Sequence, residues 1–274
     1  MQNLRDQLQE ALTFVHSKTD LKPPVAIILG SGLGSFADEL TDKTEISTAT
    51  IPHYPISTVE GHAGKWVFGK ISGKTILAVK GRIHSYEGYS LGKVGFMVQL
   101  MAEMGIQNLM VTNAAGGLNR HFKPGDLMLI TDQINMMFDN PLKGKNDDSL
   151  GPRFPDMSQP FNKELMEIAQ QAALDLRIKL QKGVLGVLKG PTYETAAEVR
   201  MMQFFGADAG SMSTLPEVVT AVFRGLNVLG ISCITNLGTG MTQNKLSHEE
   251  VTEVAELVKN KFKNLIKEII ARIP

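Results

Sequence analysis

Apolar residues recur along the chain with two different periods. Leu4, Leu8, Ala11, Leu12 and Val15 fall on one face of a helix, and Pro23-Pro24 ends it ahead of the apolar run Val25 to Leu29. Further short runs rich in β-branched and aliphatic residues follow at Ile76 to Val79, Leu109 to Thr112, Leu127 to Thr131, Val184 to Leu188 and Val228 to Thr235. Their length and composition predict strands buried on both faces. Helical periodicity lies between them, at Lys93 to Met104 and Lys163 to Leu176. This alternation predicts an α/β layer fold in one domain spanning residues 1–274.

Local signals place several boundaries. Thr195 with Glu198, Thr214 with Glu217, and Ser247 with Glu250 each match the Ser/Thr-x-x-Glu capping box, so a helix is predicted to begin at each. The last of these carries Val251, Val254, Ala255, Val258, Phe262, Leu265, Ile266, Ile269 and Ile273 at helical spacing and is predicted to pack along its whole length. Gly73-Lys74-Thr75 resembles the end of a phosphate-binding P-loop, but the preceding Gly69 is one residue too close, so a hairpin turn is the better reading. Asn140 to Pro160 is the longest stretch without periodicity and reads as a loop.

Charge and composition narrow the partners. Lys plus Arg equal Asp plus Glu at 28 each, which gives no global attraction to nucleic acid or an anionic membrane. The first residues lack the basic-then-apolar pattern of a signal peptide, and no apolar run approaches the ~20 residues of a membrane span. A cytoplasmic protein with no membrane partner is expected. Cys233 lies inside an apolar run and reads as a core side chain. The six His residues show no metal-ligand spacing, so no metal is expected; no cofactor is expected either.

Candidate chemistry gathers where strands end, which is where open α/β sheets bind ligands. The first strand runs into Gly30-Ser31-Gly32-Leu33-Gly34, whose N–H groups could face an anion with the Ser31 hydroxyl beside them. A dinucleotide fingerprint fails there, because Ser35 stands where the third glycine belongs. No Gly-x-Ser-x-Gly elbow supports a serine hydrolase. Arg82, His84 and Tyr86 alternate, so an extended backbone would point all three to one wall; read alone, the same alternation also fits an edge strand with solvated heads. Other runs end in Asn113-Ala114-Ala115-Gly116-Gly117, Gly190-Pro191-Thr192-Tyr193-Glu194, Met212-Ser213 and Thr235-Asn236.

In order and spacing, these segments, with Gly61-His62-Ala63-Gly64 and Gly81 to Gly88, resemble the homotrimeric purine nucleoside phosphorylases over nearly the whole chain. The resemblance implies a single-domain α/β fold with a central mixed β-sheet and flanking helices. It also implies phosphorolysis of purine nucleosides, with phosphate as co-substrate. Carried over by motif position, Ser31, His62, Arg82, His84, Ser213 and the backbone at Ala114 would hold phosphate. Tyr86, Met212 and His248 would contact ribose. Tyr193, Glu194 and Asn236 would bind the base, and Phe154 would reach the site of a neighbouring subunit. His84, Glu194 and Asn236 are the expected catalytic residues.

The chemistry agrees with that implication. Breaking an N-glycosidic bond builds positive charge on the sugar and negative charge on the purine, and an anion below with hydrogen-bond donors above stabilises both. Asn236 can donate to purine N7 and Glu194 can accept from N1–H of a 6-oxopurine, which favours inosine and guanosine. A methylthioadenosine phosphorylase or a xanthosine-accepting variant is the alternative. His248, in a first helical turn, is expected to be a neutral imidazole facing the ribose 5′-hydroxyl; without the resemblance it would equally be a solvated side chain. The chain departs from the family pattern at Gly210-Ser211, Val222-Phe223 and Leu237 to Gly240.

Overall fold

The computed structural model describes residues 3–59, 64–242 and 248–274, with the side chains of 248–252 outside that description. The chain opens on α1 (Leu4–His16), capped by the Asn3 side chain, which accepts the Asp6 N–H at 2.9 Å. Strands β1 (Val25–Leu29), β2 (Thr41–Ser47), β3 (Lys65–Ile71) and β4 (Lys74–Lys80) follow, then α2 (Leu91–Val94) and α3 (Phe96–Glu103). Next come β5 (Asn108–Gly117), β6 (Leu127–Asn135), α4 (Lys163–Asp175), β7 (Leu180–Val187) and α5 (Ala196–Phe204). The chain finishes with β8 (Ala209–Ser211), α6 (Leu215–Phe223), β9 (Asn227–Leu237) and α7 (His248–Arg272).

Among the described residues, nine strands join one mixed sheet in the order β2-β3-β4-β1-β5-β8-β7-β6-β9. Since β5 also pairs in parallel with β9, the strands β5, β8, β7, β6 and β9 close on themselves. Every residue of β1 is buried: Val25, Ile27 and Leu29 pack on one side, Ala26 and Ile28 on the other. Helices α1, α3 and α6 cover one face, while α4 and α7 cover the other. The expected α/β architecture with a central mixed sheet and flanking helices is therefore what the chain adopts.

The pattern missed some elements for physical reasons. Strand β2 is polar except for buried Ile46, because it forms the sheet's edge, where charged side chains discourage pairing with another chain. The helix expected over Lys93 to Met104 is divided at Gly95, where a Cβ would collide with Thr220 of α6. Strands β5 and β9 run beyond their apolar runs through Asn113 to Gly117 and Asn236, since the two pair along their whole length, with a register shift between Ala115 and Gly116. The Thr195–Glu198 capping box forms as expected. The one at Thr214 does not, for a reason given below, and the Ser247–Glu250 box lies outside the described residues. Between Asn135 and Lys163 there is no helix or strand. Among the described residues no helix is long and apolar enough to cross a membrane.

Candidate active site

The site begins where β1 and β5 touch. The Thr112 hydroxyl donates to the Ile28 carbonyl at 2.8 Å and accepts the Gly30 N–H at 3.2 Å. Only glycine permits this approach, because a Cβ at Gly30 would stand 2.7 Å from the Asn113 Cα. The turn that follows sets Ser31 at the mouth of a cleft.

Arg82 enters the same cleft from the end of β4 and is almost wholly buried. Its Nη1 donates to the hydroxyls of Ser213 (2.7 Å) and Thr214 (3.1 Å), and its Nη2 to the Thr112 carbonyl (2.6 Å). Its Nε lies 3.6 Å from the Glu217 carboxylate, itself fully buried. Burial lowers the Arg82 pKa, and the negative charge of Glu217 opposes that shift. Asn113 donates to the Thr214 hydroxyl at 2.8 Å. These claims on Thr214 explain the absent capping box: its hydroxyl serves Arg82 and Asn113, its backbone takes φ 86°, and Glu217 turns to Arg82.

His84 and Tyr86 line the cleft beside Arg82, but not by strand alternation. The backbone instead turns into a 3-10 helix over Ser85–Glu87, and the two rings stack with centroids 4.7 Å apart. Glu87 holds this turn. Its carboxylate accepts the His84 N–H at 2.7 Å, lies 3.4 Å from His84 Nδ1, and also accepts the N–H and hydroxyl of Thr58 and the hydroxyl of Ser57. Burial pushes the Glu87 carboxyl up, but the Thr58 and His84 N–H groups outweigh it and hold the group below the usual carboxylate range. Burial pushes the Tyr86 phenol up to about 12.

The opposite end is built on the closed ring of strands. Asn236 is buried on β9, its Oδ1 accepting from the Thr235 hydroxyl at 3.0 Å and its Nδ2 donating to the Leu237 carbonyl at 3.2 Å. Gly116 lies against Asn236 and Gly210 against Glu194, at 3.2 Å and 3.8 Å from where their Cβ atoms would stand. Burial raises the Glu194 pKa above the carboxylate range. Tyr193, Met212 and Ala114 complete the lining. The Ser211 hydroxyl lies 3.3 Å from the Ala114 carbonyl and 3.4 Å from the Ser213 hydroxyl, so it links the two ends.

The structure thus brings Ser31, Arg82, His84, Tyr86, Ala114, Tyr193, Glu194, Met212, Ser213 and Asn236 into one cleft of about 130 Å³. Phe154 does not line it; that ring is 87% exposed on the long loop. His62 lies outside the described residues, as does the side chain of His248. A larger cavity of about 790 Å³, between the start of α1, α3 and residues 141–150, contains none of the expected site residues. Among the described residues no group of three or more His, Cys, Asp or Glu could hold a metal ion. Sequence reasoning gave no part in the site to Thr112, Asn113, Glu87, Thr214 or Glu217, the last two having been read only as a capping box. One signal was present for Glu217: it is the only charged residue between Leu215 and Phe223, and a helix that apolar leaves its acid without water.

A fold with this cleft across its strand ends has known counterparts. Residues 24–271 match the family model of the Phosphorylase superfamily, and the chain belongs to that superfamily. Purine nucleoside phosphorylases are among its relatives there. It is 48% identical to purine nucleoside phosphorylase 1 of Bacillus subtilis (strain 168), over 98% of this chain and 99% of the relative. It is 41% identical to the Bos taurus purine nucleoside phosphorylase, over 98% and 96%. The structure of Schistosoma mansoni purine nucleoside phosphorylase in complex with inosine superposes with a TM-score of 0.93 at 34% identity, covering 98% and 97% of the two chains. The same enzyme in complex with adenosine gives 0.93 at 35%, covering 98% of each.

Proposed function

We propose that this chain, acting as one domain over residues 1–274 and as a cytoplasmic homotrimer, catalyses phosphorolysis of purine ribo- and deoxyribonucleosides, with 6-oxopurines preferred. The products are the free base and (deoxy)ribose 1-phosphate. One observation carries this reading: a buried arginine with serine and threonine hydroxyls fills one end of a cleft whose other end holds a buried Asn and a half-buried Glu. The first suits an oxyanion and the second suits the edge of a purine.

In this reading Ser31, His62, Arg82, His84, Ser213 and the Ala114 backbone hold inorganic phosphate below the sugar. A phosphate oxygen forms a bond to C1′ as the C1′–N9 bond breaks and its electron pair passes to the purine. Asn236 donates to N7 as that atom gains electron density, and Glu194 accepts from N1–H. Asn236, held by the Thr235 hydroxyl and the Leu237 carbonyl, is in place before the reaction starts, so the charge developing at N7 is stabilised without reorganisation. Tyr86, Met212 and His248 position the ribose, and Tyr193 flanks the base. Phosphate is a co-substrate, and no cofactor or metal takes part. Phe154 closes the site of a neighbouring subunit, which its exposure on its own chain permits.

Hypoxanthine release from inosine, measured with and without phosphate, tests the reaction. Release should require phosphate; equal release without it would indicate a hydrolase. Asn236→Ala should lower kcat/KM for inosine by about a hundredfold. Asn236→Asp should shift preference towards adenosine, and an unchanged preference would remove Asn236 from the base site. Methylthioadenosine and xanthosine in the same assay separate the alternative specificities.

A further inference from the structure

We propose that Glu217 sets how tightly the cleft holds inorganic phosphate, because its carboxylate neutralises Arg82 in the empty site and opposes the incoming anion. The proposal rests on the reading of Arg82 as part of the phosphate site.

Glu217 is 0% exposed in the first turn of α6, and neither of its carboxylate oxygens has a hydrogen-bond partner among the described residues. Its ion pair is with Arg82, at 3.6 Å from Nε. A carboxylate stripped of water and given no donor is a poor structural choice, since an apolar side chain of similar size would pack there without the desolvation penalty. Nor is it needed to aim the guanidinium. Ser213, Thr214 and the Thr112 carbonyl already fix Nη1 and Nη2 at 2.6 to 3.1 Å. Its remaining effect is charge.

With Glu217 in place the buried pair is neutral overall, and a phosphate arriving at Arg82 meets a negative charge just behind the positive one. This weakens binding of phosphate and, equally, of the sugar phosphate that must leave. Glu217 is thus a positioning residue in the electrostatic sense. It acts through Arg82 and touches no substrate.

Phosphate titrations of the full-length protein by calorimetry test this with four forms. Glu217→Gln keeps the volume and removes the charge, so its phosphate Kd should fall by roughly tenfold, as expected for two charges within several ångströms in a partly screened interior. The KM for phosphate should fall with it, while kcat falls because sugar phosphate leaves more slowly. Glu217→Asp keeps the charge and should move the Kd far less. A Glu217→Gln protein whose phosphate Kd is unchanged or higher would overturn the proposal. Arg82→Met separates the two layers of the argument: if it binds phosphate as the native protein does, the reading of the phosphate site fails; if it does not, Glu217 alone is on trial. Should Glu217→Gln be too unstable without phosphate, its melting temperature should climb more steeply with added phosphate than that of the native protein, since phosphate then supplies the missing negative charge. A parallel climb would also refute the idea, because a merely structural defect responds to phosphate no more than the native fold.

Discussion

Gly30→Ala probes whether the contact between the tips of β1 and β5 builds the arginine end of the cleft. The added Cβ would lie 2.7 Å from the Asn113 Cα, 2.8 Å from the Thr112 carbonyl oxygen and 3.2 Å from the Asn113 nitrogen. All three are backbone atoms of a buried strand, so no rotamer change relieves the clash. The tip of β1 must retreat by more than half an ångström to reach ordinary contact, and the 3.2 Å bond from the Gly30 N–H to Thr112 stretches with it. Overpacking of this kind costs about 1–3 kcal/mol, and the weakened hydrogen bond adds about 1 kcal/mol. At about 2–4 °C per kcal/mol for a chain of this size, the melting temperature should fall by roughly 5–10 °C. Because the Thr112 carbonyl also accepts from Arg82 at 2.6 Å, the displacement reaches the guanidinium, and the KM for phosphate should rise by about tenfold. The proposed base contacts at Glu194, in the segment before α5, and at Asn236, on β9, should change little. Differential scanning calorimetry and initial rates at varied phosphate measure the two effects. A variant that melts with the native protein and keeps its phosphate KM would show that the contact does not shape the site.

Two further outcomes follow from burial. The Glu194 carboxyl is raised by desolvation and, in its proposed role, must be ionised to accept from N1–H, so kcat/KM for inosine should decline on the acid side with a midpoint above the ordinary glutamate value of about 4.3. Glu194→Gln should lose that limb, and a native limb at the ordinary value would contradict the assignment. Cys233 is buried and its thiol is pushed up to about 12, so a water-soluble disulfide reagent should label it only after unfolding; labelling at native pH without denaturant would place it elsewhere.

How far these features could be read in advance depends on how local their causes are. Strand β1 was legible because five consecutive apolar residues between Pro24 and Gly30 leave few alternatives. The Thr195–Glu198 box was legible because both partners lie within one turn. The identical pattern at Thr214 misled, since Arg82 and Asn113, more than a hundred positions away, compete for the same hydroxyl. Arg82, His84 and Tyr86 do share a wall, yet a turn held by Glu87 puts them there rather than an extended backbone. Strand β2 was illegible because an edge needs no apolar face. The order of the chemistry-bearing segments carried the site, whereas the buried partners behind it depend on tertiary contacts that spacing does not encode.

The circular pairing of β5, β8, β7, β6 and β9 bears on how the enzyme can evolve. Gly116 and Gly210 are paired with a strand on each flank, and Asn236 is paired with Gly116 on β9, which β6 flanks over residues 230–233, so none can slide without rupturing a neighbour. Selection acting on nucleobase choice is thereby restricted to exchanging side chains on a stiff hoop. This makes single replacements at such positions, Ser211 included, an economical route to altered selectivity, while capture and release are left to the irregular segments around the rim.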